Sequence, residues 1–329
     1  MSDLLQDLRY AARALRKHSG ATIVAVLTLA LGLSVNTAIF SLVDTILLRP
    51  LPYHQPERLV RLWEKFEQKE PERRFKFSEN ELIDLRDQAK GLESVAAYAL
   101  DARNLTGVEN PEQVPVAGVS PTLFPLLGAK PAIGRAFLPD EEAPGKDLVA
   151  VLSHDSWQHR FGSDPKILGH TINLDGERYT VVGVMAAGFR FPGKLEPWGY
   201  PELWVPETID RAHLSDKRWG RKGRYLDVIA RLRPGISPAQ AQEEMNRVAA
   251  RFQEQYPDAY PAGSGWRIEA VSLMDSEVGK IRPALLALLG AAGLVLLITA
   301  VNLANLQLTR ALQRRRELAL RSAVGATRG

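Results

Sequence analysis

Between Arg282 and Arg310 lie 27 consecutive residues without a charge, PALLALLGAAGLVLLITAVNLANLQLT, and five arginines then fall within twelve positions: Arg310, Arg314, Arg315, Arg316 and Arg321. At about 1.5 Å rise per residue a helix of this length reaches roughly 40 Å, against a hydrocarbon core about 30 Å thick. The run is apolar on every face, which a helix packed inside a soluble core seldom is over such a length. It predicts a transmembrane helix over 283–309. Short segments rich in Lys and Arg stay on the cytoplasmic side, so 310–329 is expected inside, and the chain before Ile281 approaches from outside.

The other end mirrors this pattern. Residues 19–43 are again uncharged, long enough for a first span over 19–48 and longer than the 7 to 15 apolar residues of a cleaved leader. Before it, Leu4, Leu8, Ala11, Ala12 and Leu15 share one helical face opposite Arg9, Arg13 and Arg16, which predicts an amphipathic helix over 1–18 on the inner membrane surface. The net charge of +4 divides unevenly: the first 19 residues carry +2 and the last 20 carry +5, leaving −3 between them. The basic excess is therefore a topology signal, and it argues against a nucleic-acid surface. With no cysteine in 329 residues, disulfide frameworks, thiolate metal sites and thiol chemistry are excluded.

Small and amide side chains recur along the two spans at helical spacing: Thr28, Gly32 and Asn36 in the first, Thr299, Asn302, Asn305 and Thr309 in the second. An amide facing lipid lacks hydrogen-bond partners, so these stripes predict helix packing. A transport path between the helices is the alternative use of the same residues.

Some 230 residues, 49–282, are then expected outside the cytoplasm. Ser78-x-x-Glu81 is a capping box opening a helix to about Gln88, between strands at 59–63 and 94–99. A strand at 225–232, an N-cap at Ser237 before Pro238, a helix to Gln255 and a strand at 267–271 repeat that order. Between these parts, 49–112 and 220–275, the stretch 113–219 is rich in turns and short strands. There Ser120-Pro121 opens a short helix closed by Gly128, 149–152 is a buried strand, and Asp175-Gly176 joins 171–174 to 177–184 as a hairpin. The fold expected is thus two transmembrane helices carrying an α+β domain, with a split strand-helix-strand part and an inserted β-rich part.

No chemistry emerges from the motifs. There is no G-x-x-x-x-G-K-[ST] phosphate loop, so the chain is not its own P-loop ATPase and no enzyme is predicted. His154 and His159 are five apart and miss a shared helical face, so with His170 and Asp155 they make no metal site, and no cofactor is expected in the chain. Ser153, His154 and Asp155 adjoin in sequence, which does not make a triad. The basic run Lys217, Arg218, Arg221, Lys222 and Arg224 around Trp219 is expected in a solvated loop between subdomains.

Several stretches carry a resemblance: DLRYAARALRKHSGATIVAVLTLALGLSVNTAIFSLVD, VAGVSPTLFPLLGAKPAIGRAF, VAVLSHDSWQHRFG, ILGHTINLDGERYTVVGVMAAGFRFP, LDVIARLRPGISPAQAQEEM, and the region from VGKIRPALLALL to the last glycine. Together they resemble permeases of the MacB/FtsX type of ABC transporters, most closely the bacterial group called duplicated orphan permeases. The resemblance implies an inner-membrane, multi-pass protein with both ends cytoplasmic and a periplasmic core domain. It implies a separate ATPase, holding the ATP and magnesium, that docks on the coupling segment 310–329. There Glu317, Leu318, Leu320, Arg321 and Val324 offer the surface, and Gly325 is expected to end the helix. It also implies further spans, supplied by a second half or a second permease copy in a dimer, and an efflux adaptor as a periplasmic partner. Three functions stay open: efflux or export, FtsX-like regulation of a periplasmic partner, and a two-span membrane scaffold.

Overall fold

The computed structural model describes residues 19–68, 70–106, 111–209, 221, 223–261, 263–279 and 281–323. The predicted helix over 1–18 lies outside them. The chain divides into a helix unit, 1–49 with 278–329, and a sheet unit, 50–277.

In the helix unit, α1 (Ser19–Val43) runs into a single π-helical turn at Asp44–Leu48. The turn ends where the Arg49 backbone N–H bonds to the Asp44 carbonyl and its side chain pairs with the Asp44 carboxylate at 3.1 Å. The second helix of the unit, named α7 below, is one unbroken element, Arg282–Ala323, of 42 residues. It therefore carries the apolar run and the arginines that follow on one axis, about 63 Å long at 1.5 Å per residue. Stretches of 18 and 28 residues, Ala30–Leu47 and Arg282–Thr309, are long and apolar enough to cross a membrane.

The sheet unit is built from β1 (Leu59–Phe66), β2 (Glu70–Phe75), α2 (Glu79–Gln88), β3 (Leu92–Thr106), β4 (Glu112–Val119), α3 (Leu123–Leu127), β5 (Pro131–Gly134), β6 (Val149–Leu152) and α4 (His154–Phe161). It continues through β7 (Thr171–Leu174), β8 (Glu177–Met185), β9 (Leu203–Pro206), β10 (Asp227–Leu232), α5 (Pro238–Gln255), β11 (Trp266–Ser272) and α6 (Leu273–Val278). All eleven strands belong to one mixed sheet in the order β11-β1-β10-β3-β4-β9-β6-β8-β5, with β2 on β1 and β7 bridging β3 to β8. The stretches separated on sequence grounds thus share a sheet. The joint is β3, whose first half pairs with β10 and whose second half pairs with β4 and β7.

At one end, β11, β1, β10 and the first half of β3 form an open antiparallel layer. Period-2 alternation sends Val60 and Leu62 of β1 to one face and Leu59 to the other. On the first face α2 and α5 lay down Leu82, Leu85, Met245, Val248 and Phe252; on the second, α3 lays down Leu123, Phe124, Leu126 and Leu127. Both long helices start as expected: Ser78 and Glu81 form a reciprocal capping box, and so do Ser237 and Gln240 with Pro238 in the first turn. At the other end, β3, β4, β9, β6, β8 and β7 close a hydrogen-bonded circuit, with β4–β9 and β6–β8 parallel. Closure removes free edges from these short strands, and the ring encloses an aliphatic core that includes Leu105, Val116, Leu152, Leu174, Val181 and Leu203. The hairpin turn has both central residues at positive φ, Asp175 at 52° and Gly176 at 91°, as a type I′ turn requires.

Candidate functional site

The chain enters the sheet unit at Pro50 and leaves it at Glu277, and both passages meet one strand. Strand β1 lies between β11 and β10, so both its edges are paired, and helices cover both its faces, yet it holds Arg61 on the face of Leu59 and Glu64 on the face of Leu62. Each of these charges organises its face.

Arg61, 8% exposed, donates from Nη2 to Glu277 Oε1 at 2.8 Å and to the Pro192 carbonyl oxygen. The Tyr98 hydroxyl donates to the same carbonyl at 2.6 Å, and the guanidinium sits 5.8 Å from the Trp63 ring and 5.9 Å from that of Tyr98. Tyr53, just inside the entry, donates to the Arg190 carbonyl at 3.0 Å. Residues 190–193 are therefore held from the entry by Tyr53 and from the sheet by Arg61 and Tyr98, and Arg61 also holds the exit at Glu277. Gly193 is required there, because a Cβ would stand 2.7 Å from the Tyr98 hydroxyl oxygen. Burial pushes the Tyr98 phenol well above its ordinary range and raises Tyr53 likewise, with Glu277 adding to the shift. For Arg61, burial opposes the charge, but Tyr98, Glu277 and Asp227 more than offset it. The phenols stay neutral and the guanidinium charged at any physiological pH, so this root of the unit is a fixed joint.

On the opposite face, Glu64 and Glu81 are both completely buried. Arg224 donates to Glu64 Oε2 at 2.5 Å and to Glu81 Oε1 at 3.4 Å. The Tyr260 hydroxyl donates to Glu81 Oε1, while the Ser78 backbone N–H and hydroxyl occupy Oε2 at 2.7 and 2.9 Å. Arg221 pairs with Asp84 and lies 3.3 Å from the centre of the Tyr256 ring. One guanidinium between two buried carboxylates leaves a charge uncompensated, and Glu64 is pushed well above the usual carboxylate range by burial first and the charge of Glu81 second. This corrects the solvated-loop expectation: the Arg221 and Arg224 side chains are only 12% and 18% exposed and knit α2, β1 and Tyr260 together. Lys217, Arg218, Trp219 and Lys222 lie outside the described residues. Nearby, burial pushes the half-buried Glu207 up to about 7, beside a Tyr225 whose hydroxyl donates to Glu79 at 2.6 Å.

In the helix unit, Gly32 and Thr299 come together: a Cβ on Gly32 would stand 3.0 Å from Thr299 Oγ1, and Thr299 is 9% exposed. Asn36 turns its amide onto its own helix, Nδ2 donating to the Gly32 carbonyl at 2.9 Å, whereas Asn302 and Asn305 are exposed. The Thr28 side chain lies outside the described residues. Glu317, Leu318, Leu320 and Arg321 fall on the last turns of α7, whose backbone is helical to Ala323; their side chains, and Val324 and Gly325 altogether, lie outside the described residues. Among the described residues no group of three or more His, Asp or Glu side chains could hold a metal ion. His154 opens α4 behind the Ser153 N-cap and packs edge-on against Trp157.

The profile of the MacB-like periplasmic core domain family matches residues 22–248, and the chain belongs to that family. It is 29% identical over 212 residues to the macrolide export ATP-binding/permease protein MacB of Burkholderia thailandensis, covering 64% of this chain and 30% of that protein. It is 21% identical over 254 residues to an uncharacterized ABC transporter permease, YknZ, of Bacillus subtilis, covering 77% of this chain and 59% of that one. The chain thus spans under a third of the Burkholderia MacB proteins it matches. Its fold is similar to that of a domain assigned to a permease protein of Porphyromonas gingivalis, with a TM-score of 0.50 at 13% identity over 67% of this chain and 92% of that one. Family membership makes the chain a component of an ABC transporter permease.

Proposed function

We propose that the chain transmits an ATP-driven conformational change from a separate cytoplasmic ATPase to its sheet unit, outside the inner membrane, in efflux or export. The observation that carries this reading is the convergence at Arg61. In a permease of this family the helix unit spans the bilayer with both ends cytoplasmic, and its only covalent links to the sheet unit are the passages at Pro50 and Glu277. Tyr53 ties the entry to the Arg190 carbonyl, and Arg61 of β1 holds both Glu277 at the exit and the Pro192 carbonyl, so force arriving along α1 or α7 meets a braced strand instead of a slack linker. The ATPase is expected on the basic end of α7, with Leu318, Leu320 and Val324 as its apolar contact. The remaining spans come from a further permease segment or a second copy.

Two measurements test this. Tagged protein from native membranes should co-purify a P-loop ATPase, and Leu320→Asp should lose it. Arg61→Met should retain the ATPase but uncouple it, so that ATP no longer changes the distance between spin labels placed in α7 and in the sheet unit. ATPase recovery unaffected by Leu320→Asp would remove the docking assignment. Recovery of a periplasmic hydrolase with no exported substrate would shift the reading to regulation.

A further inference from the structure

The loop between β8 and β9 presents two large aromatic side chains to the exterior. Trp198 is 46% exposed and Tyr200 55% exposed, on either side of Gly199. Single exposed aromatics on a protein surface need no explanation. This pair differs because it sits on a rigid turn, where the backbones of Leu195 and Gly199 exchange two hydrogen bonds of 2.7 Å and Gly199 holds φ at 92°. Exposed Arg190 and Lys194 flank the pair, Lys194 also pairing with the exposed Glu196 of the same turn at 2.5 Å.

The position of the turn gives the pair a direction. The Pro192 carbonyl accepts from Arg61 and Tyr98, and that of Arg190 accepts from Tyr53. Tyr53 is four residues past Arg49, so at roughly 3.6 Å per residue it can lie no further than about 14 Å from the end of the first apolar helix. Glu277, held by Arg61, is the last residue of the sheet unit before the second. The aromatic turn thus follows directly on residues 190–193, which Tyr53 holds near the entry of the chain into the sheet unit and Arg61 holds beside its exit at Glu277. Tryptophan and tyrosine with a flanking arginine and lysine are the side chains that settle at the headgroup level, rings in the interface and cations reaching to the phosphates.

We propose that the turn 194–200 is an interfacial anchor that seats the sheet unit on the outer face of the bilayer through Trp198 and Tyr200. The assignment rests on the reading of α1 and α7 as membrane spans. Anchoring fixes the tilt of the unit against the membrane, so that helix motion turns the domain instead of dragging it through water.

The absence of native cysteine allows a direct test in proteoliposomes of the full chain. A nitroxide is placed by Glu196→Cys, which leaves both aromatics in place, by Lys146→Cys on another exposed loop, and by Leu294→Cys in the apolar run. The ratio of collisions with oxygen to collisions with a water-soluble nickel chelate reports depth. The expected order is Leu294, then Glu196, then Lys146, with the Glu196 label several-fold above the Lys146 label. Adding Trp198→Ala and Tyr200→Ala should bring the Glu196 label down to the Lys146 value. A Glu196 label as wet as Lys146, with Leu294 in hydrocarbon, overturns the anchor and leaves the spans standing. A label shielded from both reagents overturns it in favour of a protein contact. Water-like values at Leu294 as well overturn the spans and the anchor together.

Discussion

Leucine is treated in opposite ways in the two units. In the sheet unit Leu59, Leu82 and Leu85 are 0% exposed, while in the helix unit Leu31 is 67%, Leu294 62% and Leu308 61% exposed. Charge is reversed as well: Glu64 and Glu81 are wholly buried in the sheet unit, whereas the apolar run of α7 carries no charge at all. The sheet unit is therefore folded against water, with enough apolar burial to hold an ionic cluster inside. The helix unit exposes a large apolar surface of the kind that lipid or further helices would cover. A change at a buried charge or a core leucine should cost stability in the first unit, and the same chemistry in the second should cost membrane insertion.

The largest effect is expected at Arg224. Arg224→Met leaves Glu64 and Glu81 buried without their cation, which should destabilise the sheet unit by about 3–5 kcal/mol. Because Glu64, pushed well above the usual carboxylate range, needs no cation once it is neutral, the loss should shrink as pH falls toward 5. Urea unfolding followed by near-ultraviolet circular dichroism at the two pH values measures both. A variant as stable as the parent at pH 8 would show that the cluster is held by something other than charge. Next comes a matched leucine pair. Leu82→Ala should cost about 2–5 kcal/mol in the same assay, while Leu294→Ala leaves it unchanged. Leu294→Arg should instead oppose insertion by about 2.5–3.5 kcal/mol, read as the inserted fraction in membrane vesicles.

A smaller effect separates the cluster from Glu207. Its folded pKa of about 7 lies above its unfolded value near 4.5, so the folded state holds more protons between those limits. Stability contributed by the neutral form is complete below about pH 4.5 and is lost as pH rises toward 7 and beyond. Discounted for its half-buried position, the loss should be on the order of 1–2 kcal/mol. Glu207→Gln should flatten this part of the stability profile and raise the midpoint of thermal unfolding at pH 8. A slope unchanged by the substitution would transfer it to Glu64.

What the sequence made legible was local. The capping boxes at Ser78 and Ser237 and the turn at Asp175-Gly176 state their geometry within four residues. The two apolar runs needed only counting. Strand β2 was hidden because EPERRF, charged and opening next to a proline, reads as loop; it survives as an exposed edge on β1. The closed circuit was hidden because β4 pairs in parallel with β9, remote in sequence, and β6 pairs in parallel with β8 across the intervening α4 and β7. Arg224 was misread for the same reason: its partners Glu64 and Glu81 stand 160 and 143 residues away, and from the sequence it is one more charge in a basic run. Glu64, in LVRLWEKF, did carry a signal, since alternation puts it on the face of Val60 and Leu62. A charge on a core face calls for a partner.

The smallest expected effect tests the helix unit alone. A Cβ built on Gly32 would lie 3.6 Å from the Thr299 Cβ, inside the range of about 3.5–4.5 Å that a disulfide spans. Thr299 is fixed in place by its hydroxyl, which donates to the Val295 carbonyl at 2.8 Å, so the contact depends on α1 and α7 approaching backbone to side chain. That approach is the use of a small residue in helix packing. Gly32→Ala should change stability little, because the helix propensity gained, about 1 kcal/mol, is offset by crowding against Thr299 Oγ1 at 3.0 Å. Gly32→Cys with Thr299→Cys should cross-link under mild oxidation, in a chain with no other thiol to compete, and the loop of more than 200 residues closed by the bond should shift its migration in a denaturing gel. Gly32→Cys with Asn302→Cys should not, since Asn302 is exposed. Efficient cross-linking of the second pair and not the first would mean that α7 turns its amide stripe, and not Thr299, toward α1.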